Sequence, residues 1–430
     1  MPQYKKRKVN RFKNAVRPRI KHRAAAAADE NIEMTHGGKK TSVPREEKGA
    51  MRVVKGKKLE RQRRVRILLS TAALAAAAAV ILHLILPVSI AENIGNLTAV
   101  LGSGSYPEEL SGGETLNAVS RGLYYYVLTN TEISAFSSSG KKIYSVAHGA
   151  ENPVLKTSKT RALVFSQGGD EAIIYNLRAK KATVKTDNDI ITACISDSGV
   201  YAVATRSESY ASVVTVYSKY NKKIYEWFSS SDTVNNVCLS PNGKKLAVST
   251  FGAASGRFSS KICVLEFDSA TPKYSESFDG TPIYSIDNLK NYGFSAVFSN
   301  SVLFVSWSGY KKSEYKNDYA AAMFRIGDGG ACAVFNRESD RTDNRIAVFG
   351  AKGQLKSEFE FKGIISDIEL SGGHIYCISD TVCRILSEKG ETLREADCGF
   401  GAQRLAVTGT NRAAVITDNR IDEITLGKRE

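Results

Sequence analysis

Two patterns of apolar residues divide this chain. From residue 67 to 88 it reads ILLSTAALAAAAAVILHLILPV, an apolar run with no polar stripe at any 3.6-residue spacing. After residue 90 short alternating or β-branched runs recur about every 8–12 residues with turn residues between them, and no sustained helical periodicity appears. The first pattern predicts one helix of roughly 33 Å, long enough to cross a bilayer core. The second predicts an all-β domain: a sandwich, a barrel or a propeller.

Internal repetition decides among these. ACISDSGVYAVAT at 193–205 aligns with VCLSPNGKKLAVST at 237–250, an apolar strand, a Ser-x-x-Gly turn and a second strand. The unit returns as LKTSKTRALVF at 155–165, IELSGGHIYCI at 368–378 and LAVTGTNRAAVI at 405–416. A second unit follows, with a strand, a Gly or Asn turn, Lys or Glu, and another strand: ISAFSSSGKKIY at 133–144, VTVYSKYNKKIY at 214–225, IAVFGAKGQLK at 346–356 and CRILSEKGETL at 383–393. Four strands in a period of about 40 residues predict β-propeller blades, because a single such sheet buries both faces only by stacking on its neighbours around an axis. Blades are expected to start near 116, 151, 190, 233, 282, 319 and 364, with three further strands over 401–426. Eight blades is the reading, with seven as the alternative because 282–363 aligns least well. The incomplete last blade needs a fourth strand, and the segment 96–110 is the expected donor, closing the ring without an exposed edge.

Charge changes the picture at one boundary. Residues 1–66 hold 22 Lys and Arg against 6 Asp and Glu, so of the 60 basic and 44 acidic residues the rest of the chain keeps 38 of each. That excludes a basic nucleic-acid-binding fold for most of the chain and makes 1–66 a basic tail, expected to be disordered for want of apolar clusters. The basic flank 55–66 against the lone Glu92 after the apolar run places the N-terminus in the cytoplasm and the propeller outside a cell membrane. An uncleaved single-pass signal anchor is expected, since a 66-residue leader is long for a signal peptide, although the small residues Ser89 and Ala91 leave cleavage open. The tail suits contact with anionic lipid; its KKRK at 5–8 also fits nucleic acid or an acidic protein, the weaker reading. The resulting organisation is tail 1–66, anchor 67–88, linker with a closing strand 89–115, and propeller 116–426.

The run SPNGKKLAV at 240–248 resembles the strand-turn-strand motif of bacterial periplasmic and quinoprotein-like propellers. The plan as a whole resembles an uncharacterised domain-of-unknown-function family of membrane-anchored propellers from Gram-positive anaerobes. The resemblance is carried by the basic tail, the single anchor, GSGSYP at 102–107, Asn152-Pro153 and GVYAVATRSESYASVVTVY at 199–217. It implies a fold and a surface location over roughly 95–426, and no activity.

Catalytic and metal motifs are sparse. His148 and His374 are the only histidines after residue 90, neither beside a G-x-S-x-G nucleophile, and both are expected at the surface. Asp187-Asn188-Asp189 lacks the Gly and distal Glu of a calcium loop, and GDGG at 327–330 lacks the Lys of a phosphate loop; both read as turns. No cofactor and no metal is expected. The seven cysteines, an odd number without a CxxC, read as small apolar residues between blades, with Cys377–Cys383 the best disulfide candidate. The loops after the second strands of blades 3, 4 and 6 carry Arg206, Tyr210, Arg257, Phe258, Arg337, Arg341 and Arg345 on one rim, a pattern suited to an anionic ligand. Glu208, Glu338, Asp340 and Asp343 on the same loops argue instead for an ordinary solvated rim. Function is therefore expected to be binding or scaffolding of an envelope component or protein partner, the alternative being a quinoprotein-like or lyase-like enzyme in the propeller funnel.

Overall fold

The computed structural model describes residues 49–85, 90–111, 113–254, 256–269 and 271–428. The expected disorder and partners of 1–48, and the end of the apolar run at 86–88, lie outside them. Helix α1 spans Gly49–Ile85. It contains a stretch, Glu60–Ile81, of mean hydropathy 1.7 that is long and apolar enough to cross a membrane. The helix does not begin at the charge boundary: 49–66 is helical too. That stretch is rich in Lys and Arg and contains no proline, and Glu60 and Arg64 stand at helical i,i+4 spacing. Ser70 and Thr71 donate their hydroxyls to the carbonyls of Ile67 and Leu68 at 2.8 and 2.9 Å, so the helix satisfies its own polar groups.

A second helix corrects the expectation of β structure alone after residue 90. Helix α2, Ile90–Val100, has Glu92 in its first turn, where the free backbone amides favour a negative charge.

The rest is a closed ring of eight antiparallel blades, whose first strands start at Thr115, Pro153, Ile190, Thr233, Ser285, Ala320, Ile365 and Arg404. In each, the second and third strands are packed on both sides. Tyr124–Thr129 and Ser301–Ser306 are buried along their whole length, whereas outer strands such as Tyr274–Asp279 alternate between half-buried and exposed. That gradient is why the inner strands read as continuous apolar runs and the outer ones as alternation.

Each blade-to-blade contact has its own apolar cluster. Eight clusters for eight blades make a ring with no open interface. The eighth joins the two chain ends, packing Leu110, Tyr125 and Phe136 against Ala406, Ile416 and Ile421. There Glu108–Glu109 pairs antiparallel with Arg420–Thr425 as the fourth strand of the last blade, with Glu108 opposite Ile421. An unexpected strand, Gly427–Lys428, adds a fifth to the outer edge of blade 7.

The repeated serine has a local cause. Ser240 accepts the amides of Lys244 and Lys245 at 3.3 and 3.0 Å while Gly243 turns the chain at φ +66°. Ser137, Ser218, Ser306 and Ser387 accept turn amides in the same way after third strands. The hydroxyl supplies a bond that the ladder cannot make at the turn, and glycine supplies the left-handed conformation.

All seven cysteines are free, six of them buried. Cys377–Cys383 is not a disulfide because Cys383 stands opposite Ile378, so Cys377, one residue away, points to the other face of the sheet. The two thiols lie in different clusters. Burial pushes Cys194, Cys332 and Cys377 up to about 12, which leaves them protonated and inert.

Candidate functional site: the central channel

Antiparallel strands alternate direction, so all eight first strands run the same way around the axis. Their inner faces enclose a channel of about 1100 Å³ to which every blade contributes. First strands of neighbouring blades are too far apart in angle to form a ladder, so side chains bridge the seams. Asp367 and Glu369, two residues apart in blade 7, turn the same way and accept the amides of Leu405 and Val407 in blade 8, both at 3.1 Å. Asp367 also accepts its neighbour Ile368 N at 2.9 Å and the Arg325 guanidinium of blade 6 at 3.0 Å. On the other side of blade 8, Arg404 donates to the Leu116 carbonyl of blade 1 at 3.1 and 3.3 Å. Arg121 then reaches from blade 1 to the Thr157 hydroxyl of blade 2. Blades 6, 7, 8, 1 and 2 are thus joined by polar links along the channel wall.

Two of the charges in these seams are desolvated. Burial pushes the Glu369 carboxyl up to about 7, and Asp367 beside it adds to the rise, while the Val407 amide, Arg121 and the Ser120 hydroxyl pull it back. Burial also lowers the Arg121 guanidinium below its ordinary value, opposed by Tyr124, Glu369 and Asp197. A carboxyl titrating near neutrality in a water-accessible channel is able to exchange a proton. The sequence signal for this site is two carboxylates at i and i+2 in a first strand, Ile365–Ser371, whose other residues are Ile, Leu and Ser.

The rim arginines are only partly brought together. Arg337 and Arg345 lie over the Tyr319 ring, at 5.2 and 4.7 Å from its centre, and Arg337 pairs with Asp343 at 3.0 Å. Arg345 faces Asp318 and Glu358, both at 3.9 Å. Arg341 is exposed at the tip of the same hairpin. Arg206 stands apart, 3.8 Å from Asp189. Tyr210 packs on Phe228 at 4.8 Å and Phe258 on Phe251 at 6.4 Å, and Arg257 is exposed beside it. Much of what reads as loop in blades 4 and 6 is hairpin, with Ala254 paired to Arg257 and Arg337 to Asp340. Among the described residues no hydrogen bond, ion pair or ring contact links the three rim loops.

The two histidines part company. His374 is exposed at the channel mouth. His148 is not at the surface but buried, donating Nε2–H to the Thr129 carbonyl at 3.1 Å and accepting the Ala150 amide on Nδ1 at 3.0 Å. Its role is to tie two loops. Among the described residues no cluster of three potential metal ligands occurs.

Comparison with known proteins agrees with the fold. The sequence matches a family described as "Family of unknown function (DUF5711)" over residues 105–426. No curated protein matches it. Among solved structures, BamB from Moraxella catarrhalis superposes with a TM-score of 0.50 at 12% identity, covering 75% of this chain and 98% of that one. The β-propeller domain of Myceliophteria thermophila Cps50 (Swd1) gives 0.47 at 10% identity, covering 63% of this chain and 95% of that one. Apo AztD from Citrobacter koseri gives 0.46 at 11%, covering 66% and 86%. At these identities the likeness is one of fold.

Proposed function

Because the chain belongs to the DUF5711 family, for which the family description gives no activity, we propose from its own geometry that it is a membrane-anchored binding or scaffolding module. In this reading α1 is a single-pass anchor with its basic side in the cytoplasm, by the positive-inside rule, and the propeller stands outside. The observation that carries the binding role is the channel: one cavity framed by all eight blades, walled by fixed polar side chains and open to solvent. A rigid ring of this kind holds its recognising groups in place before a ligand arrives, so little ordering is required on binding. The ligand is an envelope polymer or an extended segment of a protein partner. The Arg337–Tyr319–Arg345 cluster, with Arg206, Arg257 and Arg341 elsewhere on the rim and Tyr210 and Phe258 beside them, is a subsidiary contact for anionic groups.

Ala322 is exposed in the channel wall, and Ala322→Trp narrows the channel at a position outside the core clusters. Binding of the full chain in detergent to isolated cell-wall polymer, or to peptides crosslinked to it in cells, is expected to fall sharply for this variant at unchanged melting temperature. Equal retention of variant and wild type overturns the channel as the site. Glu369 favours the second reading, a propeller enzyme, because a carboxyl near pH 7 suits general acid-base work. That reading requires turnover of some envelope glycan or ester with a pH limb near 7 that Glu369→Gln removes.

A further inference from the structure

The two faces of the ring are unlike in a way that the neutral composition conceals. Turns between first and second strands, and between third and fourth, lie on one face; the remaining loops lie on the other. Among the described residues, the turns of the first face hold thirteen Lys or Arg against five Asp or Glu. The loops of the opposite face hold one Lys or Arg against eleven Asp or Glu, and the hairpin ends that extend this rim in blades 4 and 6 add Arg257, Arg337, Arg341 and Arg345 with Asp340 and Asp343. The repeat itself builds this, because a basic residue follows the turn glycine or asparagine in unit after unit, as Lys141, Lys222 and Lys244 show.

Helix α2 is fixed to the basic face. The Glu92 carboxylate receives the Arg161 guanidinium at 2.7 and 2.8 Å, both side chains buried. Asn96 accepts Leu177 N and donates to the Thr160 carbonyl, each at 3.1 Å. Lys141 Nζ caps the helix end, donating to Leu101 O at 2.7 Å and Ala99 O at 3.2 Å. These contacts come from turns of blades 1 and 2 and leave the other side of α2 outward. That side carries Ile94, Leu97 and Leu101, 56–60% exposed at helical spacing. Leu123 and Tyr220, both 60% exposed, lie in turns of the same face.

We infer that this face, with the Ile94–Leu97–Leu101 side of α2 as its apolar foot, rests on an anionic bilayer surface and turns the acidic face away from it. The occupant follows from charge complementarity, from an apolar stripe on a helix with Lys181 at its first turn and Lys141 at its end, and from the four residues that separate α2 from the end of α1. The inference rests on the proposal that α1 spans a membrane, and adds which end of the propeller the bilayer meets.

The test uses the full chain carrying Cys398→Ser, to silence the half-buried thiol, in vesicles of phosphatidylcholine with or without phosphatidylglycerol. Leu97→Cys, Tyr220→Cys and Phe400→Cys are introduced singly; Phe400, 94% exposed, lies on the acidic face. Reaction with a membrane-impermeant maleimide is expected to be at least about tenfold slower at positions 97 and 220 than at 400 in the anionic vesicles, as for a face that is open in a minor population only. Molar salt, or vesicles without anionic lipid, should release position 220 but not the apolar foot at 97. Equal rates at all three positions overturn the placement. So does protection that vanishes when the protein is diluted in lipid, which would mean that a second copy covers the face. Failure of the chain to float with vesicles overturns the anchor itself, whereas flotation with equal rates overturns only the placement.

Discussion

Arg121 in the channel and Arg206 on the rim are the same side chain under opposite conditions. Arg121 is desolvated, donates to the Ser120 carbonyl at 2.9 Å and reaches the next blade. Arg206 has a side chain 76% exposed and one loose partner at 3.8 Å. Moving a charge out of water costs energy that only well-placed partners return, so the channel groups are bound into the ring and the rim groups are not. The density of charge was the sequence cue for a site, and it pointed to the rim. Burial, which a sequence does not display directly, separates the two regions.

Asp367→Ala probes the channel hardest. It leaves the Leu405 and Ile368 amides without their acceptor and removes the partner of the half-exposed Arg325, and a loss of about 1–3 kcal/mol, read as a fall in melting temperature, is expected. A shift no larger than that of a rim variant would erase the distinction.

Titration separates two buried carboxyls by sign. Glu369, held near 7 in the fold against an ordinary value of 4.5, favours the fold in its protonated form. Its contribution is complete below the unfolded value and is lost as pH rises through about 7. Glu92 is shifted the other way: Arg161 and Lys181 hold it below its ordinary value against the opposing effect of burial. Its contribution is present above pH 4.5 and is lost as pH falls through the lowered value. Melting between pH 5 and 8 should therefore lose one proton's worth of slope in Glu369→Gln. Protease cleavage within α2 should rise in acid in the wild type, and in Glu92→Gln at all pH values.

Arg206→Ala marks the small end of the scale, with no measurable change in melting temperature expected, because an exposed pair at this distance contributes little. A clear destabilisation would mean that the rim is better ordered than its contacts indicate.

Much of the ring was legible because Ser-x-x-Gly turns and alternating outer strands depend on neighbours close in sequence. The stretch 282–363, blades 5 and 6, was the least legible: the first turns there run through Lys290, at φ +46°, and through Asp328-Gly329, neither with a Ser-x-x-Gly. Helix α2 was missed although Ile90, Ile94, Leu97 and Leu101 have helical spacing, because eleven residues with a glycine in the middle make a weak pattern and the helix depends on Arg161 and Leu177 for its place. The funnel was foreseen as a place for a site, but the residues that line it were missed for a related reason. Its links join residues about one blade apart, as from Asp367 to Leu405 or from Arg121 to Thr157, and the sequence does not show which residue of the next blade each will meet.

The pairing of Glu108 with Ile421 also sets a timetable. These positions are 313 residues apart (421 − 108), so at about 5–20 residues per second the early strand waits roughly 16–60 s during synthesis for its partner to exist. Until then the surface of blade 1 that will meet blade 8, including Tyr125 and Phe136, has no cover, and the nascent ring is an open arc with two adhesive ends. Adding blade after blade is local and quick, whereas the final seam joins the most distant segments of the propeller. The interval before it forms is when a nascent chain is most apt to seal against a second copy instead of itself, so slowing translation of the last blade should raise the yield of dimers.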